Sequence, residues 1–329
     1  MSRRYTIRMP EDPTTGKIRL GISACLLGQP VRFDGGHKHD RFITDTLGRY
    51  VDFVPVCPEV ECGLGVPREA MRLVGEIDNP RLVTTHSRID HTERMQAWAK
   101  RRVQELEAED LNGFIFKSDS PSSGMERVKV YNDKGMAVKK GVGMFARAFM
   151  EHFPLLPVEE EGRLHDPKLR ENFIEAIFAF RRWRELLKAG AGPKELVDFH
   201  TRHKLLLLAH SPEIYREMGR VVAHLHDGPL PEIMARYQDL LLTCLRFKTT
   251  IKKNANVLYH LLGYFKQELS ADEKQELLEV IEHYRQGIVP LIVPVTLINH
   301  YVRKYRQPYL QGQYYLHPHP LELQLRNHV

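Results

Sequence analysis

Ser23-Ala24-Cys25-Leu26-Leu27-Gly28 and Pro55-Val56-Cys57-Pro58-Glu59-Val60-Glu61-Cys62-Gly63 hold three of the four cysteines of this chain. Apolar residues lead into each run: Ile18, Leu20 and Ile22 before the first, Val51, Phe53 and Val54 before the second. Both approaches read as short strands. Each strand then delivers a cysteine to its C-terminal end, where a glycine-bearing turn begins. In open α/β sheets ligands bind at that edge. Thiolates converging there suit a soft metal or an iron–sulfur cluster better than they suit packing.

The neighbouring sequence extends the pattern. Phe42 to Tyr50 predicts a short helix before the second strand, and a further strand is expected around Arg81–Thr85. Met95, Trp98, Val103 and Leu106 have helical spacing within Ile89–Leu111. Asn112-Gly113 ends that helix. Phe114-Ile115-Phe116 then reads as a buried strand that brings Lys117-Ser118-Asp119-Ser120-Pro121-Ser122-Ser123-Gly124 to the same edge. With a helix over Val142–Phe153, the alternation predicts an α/β N-terminal domain with a parallel, Rossmann-like sheet and helices on both faces. Phe153-Pro154-Leu155-Leu156-Pro157 reads as a boundary. Helices are expected over 167–188, 195–209, 213–226, 233–250, 257–269 and 271–286, so an N-terminal domain of 1–157 precedes an all-α C-terminal domain of 158–329. Residues 1–16 are expected to form an irregular arm, and the Pro-, Tyr- and His-rich stretch 307–320 an extended tail.

The length of 329 residues allows about two domains. No apolar run approaches the ~18 residues of a membrane span. Arg3, Arg4 and Arg8 are followed by no apolar signal region, which points to the cytoplasm. In that reducing compartment clustered thiols mean metal or redox work instead of disulfides. Residues 161–329 hold 24 Lys+Arg against 19 Asp+Glu, which is five of the net six positive charges. No acid occurs from Leu240 to Gln267, where Arg246, Lys248, Lys252, Lys253 and Lys266 lie. None occurs from Gln286 to Pro320, where Arg303, Lys304 and Arg306 are interleaved with Tyr301, Tyr305, Tyr309, Tyr314 and Tyr315. Cations for phosphates and rings for bases are what RNA binding asks for. A solvated basic face with tyrosines used for packing is the equal alternative on charge alone.

The spacing of Cys25, Cys57 and Cys62 is not that of a zinc ribbon. Cys244, among Leu241, Leu242 and Leu245, reads as core. His37 and His39 read as solvated loop residues, Lys117 and Asp119 as substrate ligands or partners of each other. Gly21–Gly28 lacks the dinucleotide-binding spacing, and there is no P-loop.

Segments 23–28, 32–37, 55–59, 63–69 and 117–124 resemble the thiouracil desulfurase (TudS) family, over about the first half of the chain. Segments 203–210, 252–265, 284–296 and 308–310 resemble the helical YbgA-like domain, and the fusion of the two resembles the bacterial tRNA 4-thiouridine desulfidases (RudS). That resemblance implies a 4Fe–4S cluster on three cysteines, one iron being open to a thiocarbonyl sulfur, and hydrolysis of the C–S bond in tRNA containing 4-thiouridine. Two ligands carry over as Cys25 and Cys57. The family's usual third cysteine falls at Ser123, while Cys62 stands where stand-alone members commonly have glycine. A thiolate suits iron and a serine hydroxyl does not, so Cys62 is expected as the third ligand. Water then needs a general base. Glu59 is the first choice, Asp34 and Glu61 are reserves, and a structural pairing of Glu59 with Arg68 competes. Ser120 and Ser122 are expected to orient substrate or protonate the leaving group. Other readings of the same residues are a desulfurase of free thiouracil or thionucleotides, and an RNA-binding iron–sulfur redox sensor.

Overall fold

The computed structural model describes residues 17–328, so the arm expected over 1–16 lies outside the described residues. In chain order the first half runs β1 (Ile18–Ser23), β2 (Val51–Val56), α1 (Pro58–Glu61), β3 (Met71–Gly75), β4 (Pro80–Thr84), α2 (Thr92–Glu107), β5 (Gly113–Phe116), β6 (Val128–Tyr131), β7 (Ala137–Gly141), α3 (Met144–His152) and β8 (Val158–Glu160). Phe42–Arg49, expected as one helix, is a π turn followed by a 3-10 turn. β1, β2, β5 and β8 form an all-parallel sheet in the order β2-β1-β5-β8. The chain leaves β1 first toward β2 and later returns to β5 on its other side. That reversal opens a crevice beyond the C-terminal ends of β1 and β5.

The pleat explains the runs of apolar residues. Phe114 and Phe116 face Trp98, Val103, Phe145 and Phe149 of α2 and α3, whereas Ile115 joins Ile18, Leu20 and Ile22 on the opposite face. Gly21 fits because Phe114 crosses it: a Cβ there would come within 2.1 Å of the Phe114 ring. A single sheet was expected, and a second one is present. β4-β3-β6-β7 pair mainly antiparallel, and the β6–β7 hairpin had no clear signal because the β7 strand Ala-Val-Lys-Lys-Gly is almost wholly exposed.

The second half is helical: α4 (Pro167–Lys188), α5 (Pro193–His210), α6 (Pro212–Ala223), α7 (Leu230–Leu245), α8 (Ile251–Gly263), α9 (Ala271–Arg285), α10 (Ile292–Lys304) and α11 (Pro308–Gln311). Asp166 starts α4 by accepting from the amides of Lys168 (2.8 Å) and Leu169 (3.1 Å), with Pro167 in the first helical position. α4 is buried on both flanks. Phe173, Ile174, Ile177 and Phe178 cover the sheet, while Ala179, Phe180 and Trp183 enter the helical core. β8 extends the sheet past residue 157. The expected extended tail is instead packed, with Leu310, Tyr315 and Leu316 buried in the helical core. No helix among the described residues is long and apolar enough to cross a membrane.

Candidate active site

The ends of β1, β2 and β5 converge on one cavity of about 460 Å³, lined among others by Cys25, Cys57, Glu59, Arg68, Lys117, Ser120, Ser122 and Ser123. The Ser23 hydroxyl at the end of β1 accepts from the Lys117 amide at 2.9 Å, which ties two strand ends together. Cys25 follows in a 3-10 turn closed by Gly28 at φ +86°, and its carbonyl accepts from the Lys38 amide at 2.9 Å. Cys57 is the extended residue that opens α1, and its amide donates to the Glu61 carboxylate at 2.8 Å. The two thiols lie close enough for Cys57 to raise the pKa of Cys25. Burial pushes Cys25 up to about 11, against the pull of Lys117 and Arg32, and burial also pushes Cys57 up.

The serine loop is held rigidly. Its carbonyls at Pro121 and Ser122 accept from the Met144 (3.1 Å) and Phe145 (2.9 Å) amides at the start of α3. The Ser120 hydroxyl accepts from the Ser123 amide at 3.1 Å and lies 3.0 Å from the Ser122 hydroxyl. Ser122 in turn donates to Glu59 Oε1 at 2.8 Å. The other Glu59 oxygen accepts from Arg68 Nε at 3.0 Å and from Arg68 Nη2. Glu59 therefore pairs with Arg68 through one oxygen and presents the other to the serines.

Several expected site residues lie elsewhere. Asp34 is exposed, accepts from the Gly36 amide at 3.0 Å and is not in the cavity wall, so it is no reserve base. Glu61 is committed to the Cys57 amide and to Arg102. Cys62 caps the far end of α1, its sulfur 3.3 Å from the Glu59 carbonyl and packed among Val54, Val56 and Leu73. Burial pushes its thiol up as well. Ser123, not Cys62, lines the cavity beside the two thiols. Lys117 pairs with Glu161 at 2.5 Å, not with Asp119. Glu161 escaped the sequence reading because Val158-Glu159-Glu160 looks too acidic for a strand. The acidity is consumed locally, with Glu160 taking the Met125 amide at 2.6 Å and Glu159 taking Arg163.

The expected RNA surface is only partly free. Lys248, Lys252, Lys266 and Arg303 are exposed. Lys253 instead donates to the carbonyls of His210 (2.6 Å) and Lys248 (2.9 Å), and Lys304 pairs with Glu273 of α9 at 2.5 Å. Tyr301 and Tyr315 are buried core residues, so neither ring is available for stacking on bases.

Residues 20–161 match the 2-thiouracil desulfurase family model, and residues 204–320 match a family described as a protein of unknown function, DUF1722. The Escherichia coli protein described as uncharacterized protein YbgA is 34% identical over 152 residues, 46% of this chain and 90% of that protein. The chain belongs to the YbgA family. In this member of the family a thiouracil desulfurase domain precedes the DUF1722 region. A solved 4Fe–4S-dependent thiouracil desulfidase, TudS, is 31% identical, covering 46% of this chain and 95% of that one, with a TM-score of 0.38.

Proposed function

We propose that the chain is an iron–sulfur desulfidase that converts 4-thiouridine in tRNA to uridine. The observation that carries the reading is the meeting of Cys25, Cys57 and Glu59 in one cavity at the strand ends, within the segment that matches the 2-thiouracil desulfurase family. Soft neighbouring thiols, Cys25 buried and Cys57 half-buried, with Lys117 and Arg32 near Cys25, fit two corners of a 4Fe–4S cluster, since cations favour the thiolate form. Cys62 is assigned the third corner, because the Ser123 hydroxyl is a poor iron ligand. The Cys62 sulfur lies outside the cavity that Cys25, Cys57 and Ser123 line, so seating it requires the end of α1 to turn toward the cavity and the sulfur to give up the Glu59 carbonyl. Such a cluster, when bound, supplies a Lewis-acidic iron that draws electrons from a thiocarbonyl.

The protein's own residues do the rest. Arg68 orients the Glu59 carboxylate, whose Oε1 faces the cavity and takes a proton from water there. Ser122 and Ser120 form a hydroxyl pair beside it that passes a proton toward the departing sulfur. Exposed Lys248, Lys252, Lys266 and Arg303 on the fused helical region supply cations for tRNA phosphates. A thiouridine stacked in tRNA must turn outward to enter the cavity.

The deciding experiment is anaerobic reconstitution followed by sulfide release from thiolated tRNA and, separately, from free thiouracil. The proposal expects release from the tRNA. Release from the free base alone would move the substrate to small thiolated bases, and a coloured protein that releases none would leave a sensor. Cys62→Ser should lose the iron and Ser123→Ala should keep it; the reverse pattern reassigns the third corner.

A further inference from the structure

The helical half holds a second group of metal-ligating side chains, remote from the thiols in sequence and unrelated to the desulfidase reading. Glu171 and Glu175 lie one turn apart on α4 and are both buried. Arg326, from the C-terminal segment, donates to one oxygen of each, at 3.0 Å to Glu171 and 2.7 Å to Glu175, and to the Tyr315 carbonyl at 2.6 Å. The second oxygen of each carboxylate faces a histidine. Glu175 Oε2 is 3.3 Å from His210 Nε2, and Glu171 Oε2 is 3.4 Å from His328 Nε2. His319 completes the group: one ligand atom from each of Glu171, Glu175 and His319 lies within 4.8 Å of the others.

The tautomers follow from the outer hydrogen bonds. His210 Nδ1 is 2.7 Å from the Phe247 carbonyl and His319 Nδ1 is 3.2 Å from the Pro320 carbonyl. A carbonyl only accepts, so both Nδ1 atoms carry the proton. In neutral rings both Nε2 atoms are then bare lone pairs. His319 is only 8% exposed, and its Nε2 is buried with no hydrogen-bond partner. A lone pair aimed at a carboxylate oxygen is repulsive unless a cation lies between them.

A histidine that donates Nδ1–H to a carbonyl while presenting Nε2 inward is the usual arrangement of a metal-bound ring. With Zn–N and Zn–O bonds of about 2.0–2.1 Å, the edge of a tetrahedral site is roughly 3.3–3.4 Å. The ligand atoms of Glu171, Glu175 and His319 lie within 4.8 Å of one another, so side-chain movements of about an ångström would bring them to that edge. A cavity of about 350 Å³ lined by Glu171, Lys252, Asn254, Tyr284 and His328 reaches the group from outside and offers an entry path.

We infer that Glu171, Glu175 and His319 bind one divalent transition-metal ion of the zinc class, with His210 facing Glu175 from outside the ligand set. Arg326 stays outside the ligand set and orients both carboxylates. The ion would fasten α4 and the C-terminal segment together.

The test uses the full chain carrying Cys25→Ser, Cys57→Ser and Cys62→Ser, so that thiols do not compete, stripped with a chelator and titrated with Co²⁺ and Zn²⁺ alone. The expected result is one ion per chain, a tetrahedral ligand-field spectrum without thiolate charge-transfer bands, and a melting temperature raised by Zn²⁺. His319→Ala should weaken binding by about 10–100-fold or more and cancel the Zn²⁺-induced rise. If that variant does not fold, the histidine NMR signals of the parent decide: the His319 Nε2 signal must shift on adding Zn²⁺. No bound ion, unchanged affinity in a folded His319→Ala protein, or a His319 Nε2 signal that does not move in Zn²⁺ would overturn the site in favour of an ion pair.

Discussion

Glu59→Gln separates the two tasks of one carboxylate. Glutamine keeps the shape and an acceptor for the Ser122 hydroxyl, now 2.8 Å away, but loses the charge that faces Arg68. The Arg68 side chain is only 8% exposed, yet it keeps the carbonyls of Gly65 (3.1 Å) and Val31 (3.0 Å). Trading a charge-assisted bond for a neutral one costs about 1–2 kcal/mol, since bonds to charged groups contribute about 1.5–3 and neutral ones about 1. Against a stability of about 5–15 kcal/mol the variant stays folded. Losing a general base costs about 10²–10⁴ in rate, or roughly 3–5 kcal/mol of barrier, more than the structural loss explains. The assay is sulfide release at matched iron content, with the melting temperature measured in parallel. Arg68→Met is the stability control: it breaks the same ion pair, so it should lower stability at least as much, and because it loosens the base without removing it, turnover should fall less than in Glu59→Gln. Turnover of Glu59→Gln within about tenfold of the parent would refute the assignment of Glu59 as base.

Phe114→Ala should cost about 3–5 kcal/mol in urea unfolding, because the fully buried ring packs on Phe116 (4.4 Å) and Phe149 (4.7 Å); a loss near 1 kcal/mol would mean that this face of the sheet collapses to fill the hole. Burial holds His200 down to about 4, so the unfolded chain takes the proton first as pH falls through about 6.5, and stability is lost until about pH 4. The loss reaches at most about 3 kcal/mol, and a His200→Gln protein whose unfolding free energy falls as steeply between pH 7 and 5 as the parent's would exclude His200 as its source. Neutralising Lys252, Lys266 and Arg303 should lower the salt slope of tRNA binding by up to ~0.7–0.9 for each phosphate that is no longer neutralised, with melting unchanged. Lys253→Gln should lower the melting temperature, since its ammonium caps two carbonyls; a salt-slope change without destabilisation would return Lys253 to the RNA surface.

Where the pattern was dense, the sequence carried the fold. Ile18, Leu20 and Ile22, then Phe114-Ile115-Phe116, are strands buried on both faces, and their apolar runs leave few alternatives. Helix α4 is readable to its ends because Pro167 follows a capping Asp166. β7 is not, since a strand that packs on nothing carries no burial pattern. Helix α10 escapes a sequence reading for another reason: Pro294 lies within its first turn, where a missing amide costs nothing, yet reads in sequence as a breaker. In the site, Cys25, Cys57, Glu59 and Ser122 are legible because they sit on short connections directly after strands. Charge is the poorest guide. Lys253 and Lys304 have no acid near them along the chain, but folding brings backbone carbonyls to one and Glu273 to the other.

The two halves are not separable, and this decides how substrate recognition can be tested. The apolar cluster beneath Cys25 contains Ile18, Leu20, Ile22 and Leu26 of the first half together with Phe173, Ile174, Ile177 and Phe178 of α4. Leu323 and Leu325, near the end of the chain, pack into the same cluster, and Arg326 anchors that segment to α4 through two buried carboxylates. Cutting after residue 160 would bare one whole face of the parallel sheet and remove the floor under a thiol. Burying each of those side chains contributes about 1.5–3 kcal/mol, so losing six removes about 9–18 kcal/mol, as much as the whole stability of an ordinary domain, about 5–15 kcal/mol. The truncated protein is expected to be insoluble and to hold no iron, and its inactivity would say nothing about tRNA. A soluble, cooperatively melting fragment of residues 17–160 would show that the first half folds without α4.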